Sequence, residues 1–284
     1  MKWTGRRESS NVEDRRGISG GGLAVGGGIV GIIVILVKVF VLGDTSALND
    51  ALPQQAPAAQ EMSAEQKKLD DERASFVKVV LADTEDVWGQ LYSQEGKKYV
   101  DPTLVMFRQS VQSACGMAGA ATGPFYCPGD QKVYIDLSFF EDMQNKLNAP
   151  GDFAMAYVIA HEVGHHIQKL NGTSDKMNQL RRRLSEQEYN KYSVMLELQA
   201  DFLAGVWAHH AQKMKNILEP NDIEEALNAA NAIGDDRLQK EAQGRVVPES
   251  FTHGTSAQRV YWFKKGFETG DVSQGNTFQD PSLN

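Results

Sequence analysis

The chain has 284 residues, 29 Lys and Arg against 37 Asp and Glu, a net charge of −8 and a pI near 5.3. That length allows one or two domains, and the acidic balance argues against nucleic acid as a partner. Two cysteines are too few for a zinc-ribbon framework.

Residues 1–21 are polar, Gly-containing and basic, with Lys2, Arg6, Arg7, Arg15 and Arg16 against Glu8, Glu13 and Asp14. Such a segment is expected to be disordered. Gly22 to Leu42 is apolar except for Lys38, and its length matches the ~20 residues a transmembrane helix needs. Lys38 lies near the far end, where it can snorkel. A cleaved signal peptide is the rival reading, with weak cleavage candidates at Leu42-Gly43-Asp44 and Thr45-Ser46-Ala47, but the run is long for one. Gly27 and Gly31 form a G-x-x-x-G, a weak signal for two spans packing as a homodimer. The five basic residues ahead of the run, with Lys67 the next one beyond Lys38, put the N-terminus in the cytoplasm by the positive-inside rule. The expectation is therefore a single-pass protein of the inner (cytoplasmic) membrane with a periplasmic domain. Residues 43–62, rich in Ala, Pro and Gln, read as a tether.

The folded domain is expected over 63–284, opening on the capping box Ser63-Ala64-Glu65-Gln66. The helix that follows carries Phe76, Val80, Val87 and Leu91 on one face. Leu104–Phe107 reads as a short strand and Gly116–Gly123 as loop. Val133–Leu137 alternates, with Val133, Ile135 and Leu137 on one face and Lys132, Tyr134 and Asp136 on the other. Ser138-Phe139-Phe140-Glu141 is a second capping-box pattern. Cys115 and Cys127 flank the Gly-rich loop, and in an extracytoplasmic domain a disulfide is the natural reading; two reduced thiols are the alternative.

After the turn Asn148-Ala149-Pro150-Gly151, with Asp152 as the expected N-cap, comes a helix that is apolar almost all round from Phe153 to Ile167. It contains His161-Glu162-Val163-Gly164-His165. On a helix the four-residue spacing of this H-E-x-x-H turns about 400°, so both imidazoles leave one face, one turn apart. Two histidines there can hold one zinc, with Glu162 placed to act as a general base. Buried imidazoles and a carboxylate need partners, which a metal supplies. Asn171-Gly172 is the stop signal. His166 points about 100° away from His165, off that face.

A catalytic zinc takes three protein ligands and keeps one open position. The H-x-x-G-x-x-H continuation is excluded, since Gln168 and Asn171 occupy those positions. Glu197 and Asp201 lie four apart on one face of a helix expected over 185–214, beside Val194, Ala204, Gly205 and Ala208. Two such carboxylates repel unless a cation intervenes. Glu197 is assigned to the zinc, and Asp201 to a hydrogen bond that fixes the tautomer of a ligand histidine. A solvated face is the plain alternative for this pair, and Glu186 and Glu188 are rival ligands in a setting that looks like an exposed helix start.

H-E-V-G-H followed some thirty residues later by Glu197-Leu198-Gln199-Ala200-Asp201 resembles the gluzincin metallopeptidases, especially the clan of HtpX-like and CAAX-prenyl endoproteases. The basic start, the Gly-rich apolar segment and the run Gly123-Pro124-Phe125-Tyr126-Cys127-Pro128 make the whole chain similar to the bacterial neutral zinc metallopeptidases. The resemblance implies His161, His165 and Glu197 as zinc ligands, Glu162 as base, and a protein or peptide substrate. It also implies that the strand Val133–Leu137 edges the cleft and pairs with an extended substrate, an ordinary half-buried strand being the alternative. In related peptidases a T-H-x-x-S-x-x-R-like stretch brings a histidine to the cleft. Thr252-His253-Gly254-Thr255-Ser256-Ala257-Gln258-Arg259 matches it, which implies that His253 donates a hydrogen bond to the developing oxyanion. A loop histidine capping a helix is the alternative, and Arg259 either supports His253 or pairs with a carboxylate.

His209 and His210 read as surface residues at a helix C-terminus, Asp222–Ala242 as one scaffold helix, and 270–284 as a polar tail. The expected fold class is α+β, a mainly helical zincin-like metallopeptidase domain with a small sheet, behind one transmembrane helix. Two other readings stand beside the hydrolase: a membrane-tethered binding or scaffold protein with a structural or inactive zinc site, and a metal-free helical adaptor.

Overall fold

A computed structural model describes residues 1–17 and 62–283. The apolar run 22–42 and the tether up to residue 61 lie outside the described residues. Among those described, no helix is long and apolar enough to cross a membrane.

The fold is α+β, mainly helical with a small sheet. Four strands, β1 (Val12–Asp14), β2 (Thr103–Phe107), β5 (Phe125–Cys127) and β6 (Lys132–Asp136), form one sheet in the order β1-β2-β6-β5. β1 and β6 run parallel to β2, and β5 runs antiparallel to β6. The segment expected as loop contains β4 (Gly116–Gly119), which pairs with β3 (Ser110–Ser113) as a hairpin. Gly-Met-Ala-Gly carries no alternating pattern, so sequence periodicity misses it. Cys115 and Cys127 are disulfide-bonded, which ties the hairpin to β5.

The alternation in β6 is real, but both of its faces are covered. Val133, Ile135 and Leu137 enter the main core, while Tyr134 enters a second cluster with Val105, Phe107, Val111 and Cys127. Phe125 stacks on Tyr134 at 4.8 Å. β6 is flanked by β2 along its length and by β5 only over Lys132–Tyr134. The expectation that this strand edges the cleft is narrowed: beyond the end of β5 only Ile135 and Asp136 have no strand beside them on that side.

The expectation of disorder at the N-terminus is corrected as well. β1 adds to β2 in the register Val12↔Leu104 to Asp14↔Met106, and Trp3 packs edge-on against Phe76 at 5.5 Å. A charged composition suggests disorder when the charges are solvated; here Arg6, Arg7 and Arg16 have fixed carboxylate partners on the first long helix.

That helix, α1 (Ala64–Gln94), starts at the Ser63 capping box as expected. Ser138 makes no side-chain cap, and α2 is only Phe139–Asn145. α3 (Asp152–Leu170) runs through the centre of the main core, with Phe153–Gly164 buried throughout. Its N-cap is Gly151, not Asp152, and Asn171 and Gly172 close it. α4 (Thr173–Arg181) leads to α5 (Glu186–Lys215), which opens on a Ser185–Glu188 capping box.

The single helix expected over 222–242 is two, α6 (Asp222–Ala232) and α7 (Asp235–Gln243). The break falls at Gly234, where a Cβ would stand 2.4 Å from the Ser256 backbone nitrogen. α8 (Ser256–Thr269) follows a Thr255 N-cap. The expected polar tail is docked onto α5: the buried Thr277 hydroxyl donates to the Met195 carbonyl at 2.6 Å, and the Gln199 amide donates to the Gly275 carbonyl at 2.9 Å.

Candidate metal centre

Two close helix contacts assemble the centre. Gly164, inside the H-E-x-x-H stretch, faces the Ala200 backbone, where a Cβ would sit 3.0 Å from the Ala200 oxygen. The absent side chain lets α3 and α5 approach closely enough for His161 and His165 to meet Glu197. Gly205 and Gly266 make a reciprocal contact between α5 and α8, each facing the other helix's backbone at 2.1 Å for a hypothetical Cβ. That contact carries Arg259 into the core.

His161, His165 and Glu197 offer ligand atoms that all lie within 4.8 Å of one another. His161 Nε2 is 3.1 Å from Glu197 Oε2, and His165 Nε2 is 3.5 Å from Glu197 Oε1. The rings are perpendicular, with centroids 4.8 Å apart.

Each ring is held from behind. His161 Nδ1–H donates to Asp201 Oδ1 at 2.8 Å, and His165 Nδ1–H donates to Gln168 Oε1 at 2.8 Å. With both Nδ1 positions engaged as donors, both Nε2 lone pairs aim at the space beside Glu197. Two imidazole nitrogens and one carboxylate form a donor set that suits zinc in an open, three-ligand site.

The supports are themselves supported. Asp201 is fully buried and accepts from the Tyr157 hydroxyl at 2.6 Å, from Arg259 Nε at 2.8 Å and from Arg259 Nη2 at 2.9 Å. Gln168 donates to the Leu196 carbonyl at 2.7 Å and to Gln199 Oε1 at 3.2 Å. Sequence reasoning named Asp201 and left Arg259 between two roles; the structure pairs Arg259 with Asp201. It gave Gln168 and Tyr157 no role. Gln168 sits three residues after His165, on the same helix side, and that spacing was the available signal.

The electrostatics are those of a cation site. Burial would lower the pKa of His161, but the Asp201 and Glu197 carboxylates push it up to about 10. Burial would lower His165 too, and Glu197 raises it. Burial would raise Glu197, and the two imidazoles hold it well below the usual carboxylate range. Asp201 is held at about 2 against its own burial, chiefly by Arg259. Glu162, 8 % exposed, is pushed up by burial.

His253 has a half-exposed ring, with Nδ1 tied to Asp235 Oδ1 at 3.2 Å. Desolvation pulls its pKa down, Asp235 more than offsets this, and Glu197 is near enough to add to the rise. Glu188 caps its own helix through Ser185, as an exposed helix start does. His166 is fully buried, bonded to the Tyr126 hydroxyl and the Val100 carbonyl. His209 and His210, expected at the surface, are half-buried and tied to the carbonyls of Phe267 and Gly270.

A mainly helical α+β fold thus places a His-His-Glu donor set, of the kind that can hold a metal ion, beside a buried glutamate. Residues 1–278 match the family described as "Putative neutral zinc metallopeptidase", and the chain belongs to it. Among relatives, it is 52% identical over 284 residues to "Uncharacterized protein YpfJ" of Escherichia coli K12, covering 98% of this chain and 99% of that one. It is 42% identical over 195 residues to "Uncharacterized protein Rv2575" of Mycobacterium tuberculosis H37Rv, 65% of each chain. No solved structure matches the chain significantly.

Proposed function

We propose that this protein is a zinc-dependent endopeptidase. The observation that carries the reading is the pair of back-bonded imidazoles whose Nε2 atoms converge on Glu197. His161, His165 and Glu197 would hold the metal. A zinc ion there supplies a Lewis acid for a peptide carbonyl and acidifies water. Glu162, on the same helix, takes a proton from the attacking water and delivers it to the leaving amine. His253 Nε2, with Nδ1 anchored on Asp235, donates to the oxyanion that develops on the carbonyl.

The test is Glu162→Gln in the full-length chain. It should keep one zinc per chain by elemental analysis and lose casein hydrolysis by about 10²–10⁴-fold. A variant that hydrolyses casein at the wild-type rate ends the proposal. Zinc-replete wild-type protein with no chelator-sensitive hydrolysis would favour a tethered binding or scaffold protein. We further propose membrane association through the apolar run 22–42 and an extracytoplasmic domain, a setting that suits a disulfide.

A further inference from the structure

Residues 1–17 precede the apolar run, and residues 62–283 follow it. A run that crosses a bilayer once puts its two flanks in different compartments, and 18–61 holds only one apolar stretch of spanning length. Yet the two flanks share one fold. We propose that residues 1–17 and 62–283 lie on the same side of the membrane, docked as a single unit, so that the apolar run does not act as a single-crossing anchor in the folded protein.

Three independent kinds of contact support this. β1 supplies the outer strand beside β2: the Leu104 amide donates to the Asn11 carbonyl at 2.9 Å, and the Arg15 amide donates to the Met106 carbonyl at 2.8 Å. Trp3 packs on Phe76, itself 2 % exposed. The third contact is electrostatic. The buried Glu85 carboxylate takes Arg7 Nη1 at 3.0 Å, Asn11 Nδ2 at 2.9 Å and the Ser9 hydroxyl, all from the N-terminal segment. Arg16 Nη1 meets the buried Asp70 at 2.6 Å.

These contacts also change the meaning of the basic N-terminus. The positive-inside rule counts Lys and Arg close to a span. Arg6, Arg7, Arg15 and Arg16 each form an ion pair in the fold, with Asp83, Glu85, Glu13 and Asp70 among their partners. Placing them across a bilayer from α1 would strip Glu85 of every one of those donors. An unpaired buried charge is costly.

The test uses membrane vesicles carrying the full-length chain, and it does not depend on peptidase activity. Ser10→Cys and Asn178→Cys are at exposed positions, and the native cysteines are bonded to each other and silent to maleimide. A membrane-impermeant maleimide should label both engineered cysteines from the same face. In the same vesicles a carbodiimide should join Glu8 to Lys78, whose charged atoms are 3.5 Å apart, and the product should vanish in Lys78→Arg. Labelling of the two cysteines from opposite faces overturns the proposal. Absence of the Glu8–Lys78 product in the wild-type chain overturns the docking.

Discussion

Replacing Arg259 tests the support behind the first histidine. Arg259 is 2 % exposed and makes two charge-assisted bonds to Asp201, at 2.8 and 2.9 Å, plus a longer one to the Ile233 carbonyl at 3.3 Å. Arg259→Met keeps most of the packing volume and leaves the Asp201 carboxylate buried with only Tyr157 and His161 as donors. Breaking a buried pair from one end costs about 3–5 kcal/mol, a large share of the 5–15 kcal/mol typical of a folded domain.

The double variant Asp201→Leu, Arg259→Met removes both charges, so it should recover a good part of the loss, with a coupling energy well above 1 kcal/mol in magnitude. Denaturant unfolding followed by tryptophan fluorescence is a suitable assay, because Trp88, Trp207 and Trp262 are all buried. The zinc readout separates stability from function. Arg259→Met retains the Asp201–His161 bond and should bind zinc more tightly than Asp201→Leu. A single variant within about 1 kcal/mol of wild type, or a double variant as unstable as the sum of the singles, would refute the reasoning.

Gln168→Leu removes the acceptor behind His165, and zinc affinity should fall about 10–100-fold by chelator competition. Unchanged affinity would mean that the Nδ1 contact does not orient the ring. Reducing the Cys115–Cys127 bond, or replacing both cysteines with serine, should cost about 3 kcal/mol of unfolding free energy for a loop of this size, with zinc content unchanged. The apo protein should show an acid transition set partly by Asp201. Its folded pKa of about 2 lies below its unfolded value, so its contribution is complete above the unfolded pKa and drains as pH falls toward 2. A pH titration of apo-protein stability should show that loss in the wild type and much less of it in Asp201→Leu. Saturating zinc at about 1,000 times Kd should raise stability by about 4 kcal/mol over the chelated form, read as an upward shift in Tm.

The H-E-x-x-H helix was legible because its information is local. Histidines four apart on an apolar helix must share a face, whatever surrounds them, and the same argument puts Glu197 and Asp201 together on α5. Helix starts at Ser63 and Ser185 were legible for the same reason: a capping box spans four residues. Local rules misled in two places. Ser138 matches the capping pattern yet makes no cap, and Asp222–Ala242 breaks where Ser256 presses on Gly234.

Sequence alone determined the donor types, their helical spacing and the glutamate beside them. Only the tertiary structure decided that β6 lies inside the sheet, that Gln168 backs His165, that Arg259 pairs with Asp201, and that residues 1–17 belong to the fold. All but the Gln168–His165 contact join residues far apart in the chain. A periodicity fixes which face a side chain occupies, but its partner is chosen when separate helices and strands pack, and here glycines at 164, 205 and 266 set how closely those helices approach.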